Sequence, residues 1–190
     1  QNSHGQLGQE DIDHLGDEDN EMGNNLTVVD LGSGRTATAI ACGSTHTAVI
    51  LDNGTVRVWG MGFFGQLGSG SFFNLGDGSN EMGDDLSIVS LGTGRTATAI
   101  ACGEFYTAVV LDNGTVKVWG RDNYGQLGQG STTTLGDNSL EMGDDLPAVS
   151  LGTGRTGDKL ATGCSSDNTG VRLDNGTVKF WGRNNHGQLG

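Results

Sequence analysis

The phrase Gly-Gln-Leu-Gly occurs four times, at residues 5–8, 65–68, 125–128 and 187–190. The last three copies each follow a Trp-Gly pair after four intervening residues, at Trp59-Gly60, Trp119-Gly120 and Trp181-Gly182. Successive copies are 60, 60 and 62 residues apart. A period of this length marks a repeat architecture, in which a unit too small to bury its own apolar face leans on a neighbour. Cut at the phrase, the chain reads as the end of a preceding repeat at 1–8, then repeats at 9–68, 69–128 and 129–190. It opens and closes on the phrase, so it reads as a slice of an array rather than a set of units with atypical caps.

Within a unit the residues argue for strands. Residues 107–111 and 115–119, Thr-Ala-Val-Val-Leu and Thr-Val-Lys-Val-Trp, flank Asp112-Asn113-Gly114, and the same Leu-Asp-Asn-Gly-Thr-Val stands at 51–56 and 173–178. An Asn-Gly pair between β-rich runs predicts a tight hairpin with both central residues at positive φ. Residues 96–102, Thr-Ala-Thr-Ala-Ile-Ala-Cys, alternate with period two as a strand does. Residues 87–91 predict a further short strand. Residues 75–86 read as a long acidic loop, and no helical period occurs anywhere. Four short strands per repeat predict an all-β array of propeller type.

The small side chains of the alanine-rich strand suit a place where strands crowd, such as the axis of a radial array. Trp59, Trp119 and Trp181, with Leu67, Leu127 and Leu189, are the candidates for the seams between units. Burying an indole is worth about 2–3 kcal/mol. The third unit departs from the pattern over 157–163 and is two residues longer, which predicts a bulge or a looser inner strand there. Cys42, Cys102 and Cys164 hold one equivalent position per unit, too far apart for disulfides, and read as small buried apolar residues.

Charge narrows the partners. The chain carries 23 acidic and 10 basic residues, for a net charge of −13, and its only lysines are Lys117, Lys159 and Lys179. Binding to a phosphate backbone needs clustered Lys and Arg, so nucleic acid and anionic membranes are poor partners. No stretch approaches the ~18 apolar residues of a membrane span.

Taken together, residues 41–48, 51–60 and 65–68 form one long motif: Ala-Cys-Gly-x-x-His-Thr-Ala, then Leu-Asp-Asn-Gly-Thr-Val-x-Val-Trp-Gly, then Gly-Gln-Leu-Gly. Residues 101–108, 111–120 and 125–128 repeat it with Tyr106 at the His position, and 164–190 do so less closely, with Asn168 there. This motif resembles the regulator of chromosome condensation repeat, and the linker Glu-Met-Gly-Asp-Asp-Leu-x-x-Val-x-Leu-Gly-Thr-Gly-Arg-Thr at 81–96 and 141–156 looks like the variety of that repeat found in bacterial and algal proteins. The resemblance implies a β-propeller, commonly of seven blades, each of four antiparallel strands. Three units cannot close such a ring, so it implies an open array with unpaired edges, continued either as a larger ring or as an open stack in a fibre. One branch of the family is a nucleotide exchange factor for a small nuclear GTPase, through loop insertions not identified in this chain.

Three chemistries attach to particular residues. Asp77, Glu81, Asp84 and Asp85 recur as Asp137, Glu141, Asp144 and Asp145, and partly as Asp17, Glu18 and Glu21. Calcium wants six to eight oxygens, so these loops read either as calcium sites or as turns shaped by Asp and Asn; no other cofactor is expected. Asn53, Asn113 and Asn175 begin Asn-Gly-Thr and Asn25 begins Asn-Leu-Thr, the N-glycosylation acceptor pattern, which hairpin chemistry also produces. Nucleophilic catalysis finds no recurring Ser, His and Asp set, and no Cys-x-x-Cys or His-x-x-x-His spacing exists. The sequence therefore predicts a non-enzymatic scaffold that joins copies of itself or neighbouring repeats into a ring or an extracellular fibre. The alternative is a partner-binding propeller inside a cell.

Overall fold

The computed structural model describes residues 1–190 as nine strands and two short 3-10 turns, at Gly23–Asn25 and Gly83–Asp85. The strands are β1 Ala37–Cys42, β2 His46–Leu51, β3 Val56–Gly60, β4 Ala97–Cys102, β5 Tyr106–Leu111, β6 Val116–Gly120, β7 Gly157–Ala161, β8 Asn168–Leu173 and β9 Val178–Gly182. They form three antiparallel sheets in the orders β1-β2-β3, β4-β5-β6 and β7-β8-β9. The first strands sit side by side, β1 against β4 and β4 against β7, and the small side chains of the alanine-rich β1 and β4 let those inner edges approach. β2 and β5 are buried along their whole length. No helix is long and apolar enough to cross a membrane.

Each sheet has three strands, where the sequence predicts four. The fourth strand expected at residues 87–91 does not form; the outer edge of β3 and of β6 carries only a single bridge, Gly60 to Leu75 and Gly120 to Leu135, followed by the acidic loop. Residues 87–91 then run beside β3 on one backbone bond, from the Val89 N–H to the Val56 carbonyl at 2.9 Å. Asn80 at φ 64° and the 3-10 turn at Gly83–Asp85 bend the chain between the two contacts. No continuous ladder can form across that bend.

The hairpin also differs from the expected turn. Asp52, Asn53 and Gly54 form a three-residue connection closed by the Gly54 N–H on the Leu51 carbonyl at 2.9 Å. Only the glycine takes positive φ, 77°. The Asn53 side chain accepts instead from the Thr55 N–H at 3.1 Å and the Thr55 hydroxyl at 2.7 Å. Asn-Gly-Thr therefore builds a type of longer hairpin loop in which a left-handed glycine follows the turn.

The bulge expected in the third unit is present but not peculiar to it, and the expected place of its two extra residues is corrected. The register shift in its first strand, between Gly157 and Lys159, recurs between Ala37 and Ala39 and between Ala97 and Ala99, so it belongs to every unit. The two extra residues lie in the β7–β8 loop, which puts Thr162 rather than Cys164 where Cys102 stands. The Thr162 hydroxyl donates to the Cys102 carbonyl at 2.7 Å, much as the Cys102 thiol reaches the Ala41 carbonyl at 3.7 Å. All three cysteines are free, but only Cys102 is buried. Burial depends on having a sheet on the Cys side. Cys102 lies against β1, whereas Cys42 sits on the first inner strand and Cys164 in the longer loop.

Candidate functional site: the seams between sheets

The sheets meet through alternate side chains of their hairpins. Ala48, Ile50, Val56 and Val58 of the first sheet face Val109, Leu111 and Trp119 of the second, with Leu67, Val89 and Leu91 filling the seam. Ala108, Val110, Val116 and Val118 of the second sheet face Val171 and Leu173 of the third, with Leu127, Val149 and Leu151. Trp59 packs with Val49, Leu51, Met82 and Leu86 on the far side of the first sheet. Trp59 and Trp119 are buried and Trp181 is half-buried. Leu67 and Leu127 are buried too, and Leu189 is half-buried.

The repeated phrase is the polar hub of each seam. The Gln6 carbonyl accepts the Trp59 indole N–H at 3.1 Å and the Thr47 hydroxyl at 2.9 Å. The Gln66 carbonyl accepts Trp119 at 3.1 Å and Thr107 at 2.9 Å, and the Gln126 carbonyl accepts Trp181 at 2.9 Å and Thr169 at 2.8 Å. A buried indole keeps its apolar gain only if its N–H finds an acceptor. The second glycine of the phrase has a steric reason. A Cβ on Gly8, Gly68 or Gly128 would stand 2.8 Å from the indole nitrogen of Trp59, Trp119 or Trp181.

The acidic loops are tied into the same frame. Glu81 accepts the Gly76, Asp77 and Gly78 N–H groups at 2.9, 3.1 and 2.9 Å, and Glu21 accepts those of Gly16, Asp17 and Glu18. Glu141 does the same for Gly136 and Asn138. Asp84 reaches 51 residues back to the Ser33 N–H at 2.9 Å and hydroxyl at 2.5 Å, and Asp144 meets Thr93 at the same distances. These hydroxyls hold both carboxyls below the usual carboxylate range. Asp17, Glu18, Asp85 and Asp145 lie at the surface, and Asp77 and Asp137 are half-buried, bonded to Asn74 and Asn138. No three His, Cys, Asp or Glu side chains gather as metal ligands. The loops do not fit calcium, because their best-placed carboxylates already serve backbone donors.

Asn53, Asn113 and Asn175 sit exposed at the hairpin tips, and Asn25 is exposed at the end of its 3-10 turn. Asp167, which the sequence does not single out, is buried among the Arg121 guanidinium at 2.6 Å, Gln126 Nε2 at 3.2 Å and Arg183 at 3.5 Å. Arg121 also lies over the Phe105 ring at 4.6 Å. The clasps by Asp84 and Asp144 are likewise hidden from sequence reasoning. Their only trace there is a carboxylate recurring at one register.

The fold and these seams define an all-β repeat protein of propeller type, held by contacts between adjacent units. The family model of the regulator of chromosome condensation (RCC1) repeat matches residues 37–66 and 97–126, and the chain belongs to that repeat family. It is 31% identical over 161 residues to human E3 ubiquitin-protein ligase HERC2, a match covering 83% of this chain and 3% of that protein. The crystal structure of human WBSCR16 superposes with a TM-score of 0.67 at 21% identity, covering 96% of this chain and 41% of that one. Prp20p of Saccharomyces cerevisiae superposes at 0.56 and 20% identity, over 80% and 33%. The chain spans 3–32% of the length of the curated relatives it matches.

Two buried titratable groups set pH dependences. Burial pushes the Asp122 carboxyl up to about 6, opposed by the Leu127 N–H. Asn2 and Asn184 take the equivalent place and accept the equivalent N–H, from Leu7 and Leu189. A raised acid pKa means the folded state binds the extra proton, so stability falls as pH rises from about 4 through 6. Asp122→Asn is expected to stabilise by about 1 kcal/mol at pH 7, with the gain vanishing near pH 4, as read from urea midpoints. Burial also lowers His46 to about 4, with Nε2 3.0 Å from the Thr107 hydroxyl across the seam. A lowered base is neutral when folded and takes a proton when unfolded, so stability falls as pH drops from 6.5 towards 4. The loss is on the order of 3 kcal/mol. His46→Tyr, matching Tyr106, should flatten that slope in acid denaturation curves.

Proposed function

We propose that the chain is a non-enzymatic interaction scaffold whose outer faces accept further units of the same repeat. The observation that carries this is a contrast between equivalent residues. Val56, Val58, Val116 and Val118 are at most 2% exposed, whereas their counterparts Val178 and Phe180 are 60% and 48% exposed. At the other end Met22 and Leu26 are exposed where Met82, Leu86 and Leu146 are buried. Each face matches a surface that is covered at the internal seams, and repeat arrays grow through such nearest-neighbour contacts. Sedimentation velocity across a concentration series tests the reading. A closed ring gives one discrete larger particle and a fibre gives growing species, both suppressed by Phe180→Asp; a monomer at every concentration sinks it.

An extracellular setting is part of this proposal, supported by three exposed Asn-Gly-Thr tips in one chain. Intact mass after secretion from a eukaryotic host is expected to show glycan on Asn53, Asn113 or Asn175, and an unmodified mass would refute that setting.

A second reading, partner binding by the loop face, is favoured by an aromatic patch. Phe63, Phe72 and Phe73 are 58–66% exposed. Ser3, Asn123 and Asn185 stand in place of Phe63, and Asp13 and Thr133 in place of Phe73, so the repeat does not need these rings for packing. Prp20p has binding properties towards Gsp1p and histones, and partner binding of that general kind would suit such a surface.

A further inference from the structure

The turn entering each sheet is built alike. The Arg35, Arg95 and Arg155 N–H groups bond to the carbonyls of Gly32, Gly92 and Gly152 at 3.1, 3.1 and 3.2 Å. At the first two sheets a loop from the following repeat folds back onto this turn, where Asp84 binds Ser33 and Asp144 binds Thr93 through both N–H and hydroxyl. A basic side chain lies beneath. Lys117 Nζ donates to the Gly143 carbonyl at 2.5 Å. It stands 3.5 Å from where a Cβ on Gly92 would be, with Asp144 Oδ1 2.8 Å from that same point.

The third sheet repeats these donors. Lys179 Nζ stands 3.5 Å from the corresponding point on Gly152, and Thr153, exposed, follows it as Thr93 follows Gly92. Next to them lie the exposed Val178 and the half-buried Trp181, whose counterparts meet Leu and Val side chains of the folded-back loop.

We propose that Thr153 and Lys179 form a carboxylate-binding site for the folded-back loop of another repeat that carries aspartate at the Asp84 and Asp144 position. The site rests on the reading that outer faces accept further units, and it adds a rule for which unit is accepted. Within this chain the first repeat carries Asn24 at that position. An amide offers Thr153 a neutral acceptor and offers Lys179 no charge, and charge-assisted bonds are roughly twice as strong as neutral ones. The chain therefore prefers an aspartate-bearing loop over the loop of its own second copy. The apolar anchors Met142, Leu146, Val149 and Leu151 recur as Met22, Leu26, Val29 and Leu31, so at Thr153 and Lys179 the difference is the carboxylate.

Residues 1–8 of a second copy duplicate the place of 183–190, so a loop peptide is a cleaner probe than self-association. The full chain is titrated with a synthetic peptide of residues 129–151, with its Asp144→Asn variant, and with a peptide of residues 9–31. One site is expected, with a blue shift of Trp181 emission. The aspartate peptide should bind about fivefold or more tightly than the other two. Thr153→Val in the chain should shrink that difference to within roughly twofold. Equal binding by aspartate and asparagine peptides overturns the carboxylate rule and leaves the outer-face reading standing. Absence of any peptide binding, in a chain whose association is still lost with Phe180→Asp, overturns the site while sparing that reading.

Discussion

The rest of the structure depends on one hydrogen bond, from a buried indole N–H to the carbonyl of the glutamine in Gly-Gln-Leu-Gly. An indole is worth burying only if its nitrogen is satisfied. The acceptor comes from the unit before, 53 to 55 residues earlier in the chain. The same carbonyl takes a threonine hydroxyl from the middle strand of the sheet. One backbone oxygen thus fixes both how close the phrase approaches the sheet and at what height along it. The glycine that ends the phrase follows from this, since any Cβ there would press on the indole nitrogen.

Around that bond the charged residues have structural work. Glu21, Glu81, Asp84, Glu141 and Asp144 of the long loops accept backbone donors, so in a chain of net charge −13 these carboxylates also hold the backbone in place. Arg57 and Lys117, both buried, donate to carbonyls of the loop folded back over them, at Gly83 and Gly143, and Arg57 donates also to Leu31 in the segment that enters its own sheet. The seams are joined from one unit to the next by bonds that span 51 to 61 residues, while His46 Nδ1, Gln66 Nε2 and Asp122 Oδ2 are buried without a hydrogen-bond partner.

Much of this is legible in the sequence. The period, the strands of each hairpin, and the small residues of the inner strand follow from alternation and spacing, because those patterns reflect pleat and packing directly. The missing fourth strand is not legible. Residues 87–91 have strand composition, but whether they pair depends on a bend set by Asn80 and the turn at Gly83–Asp85. The hairpin glycine announces its own conformation and the asparagine before it does not, since Thr55 offers Asn53 a bond that makes negative φ comfortable. Asp84 and Asp144 look like loop charges because their partners lie 51 residues away. Asp167 has no counterpart in the other units, so repetition cannot point to it.

The folded-back loop has a consequence for how the chain is made. Each sheet is finished only when about thirty residues beyond its last strand have been synthesised, since Met82, Leu86 and Val89 cover what residues 46–60 expose. At ribosomal speeds that is a delay of roughly 2–6 s, during which valines and an indole of the newest sheet stay uncovered. A nascent chain of this design always trails one incompletely dressed unit behind the exit tunnel, and translation rate, rather than any single contact, governs how long that unit is open to the wrong neighbour.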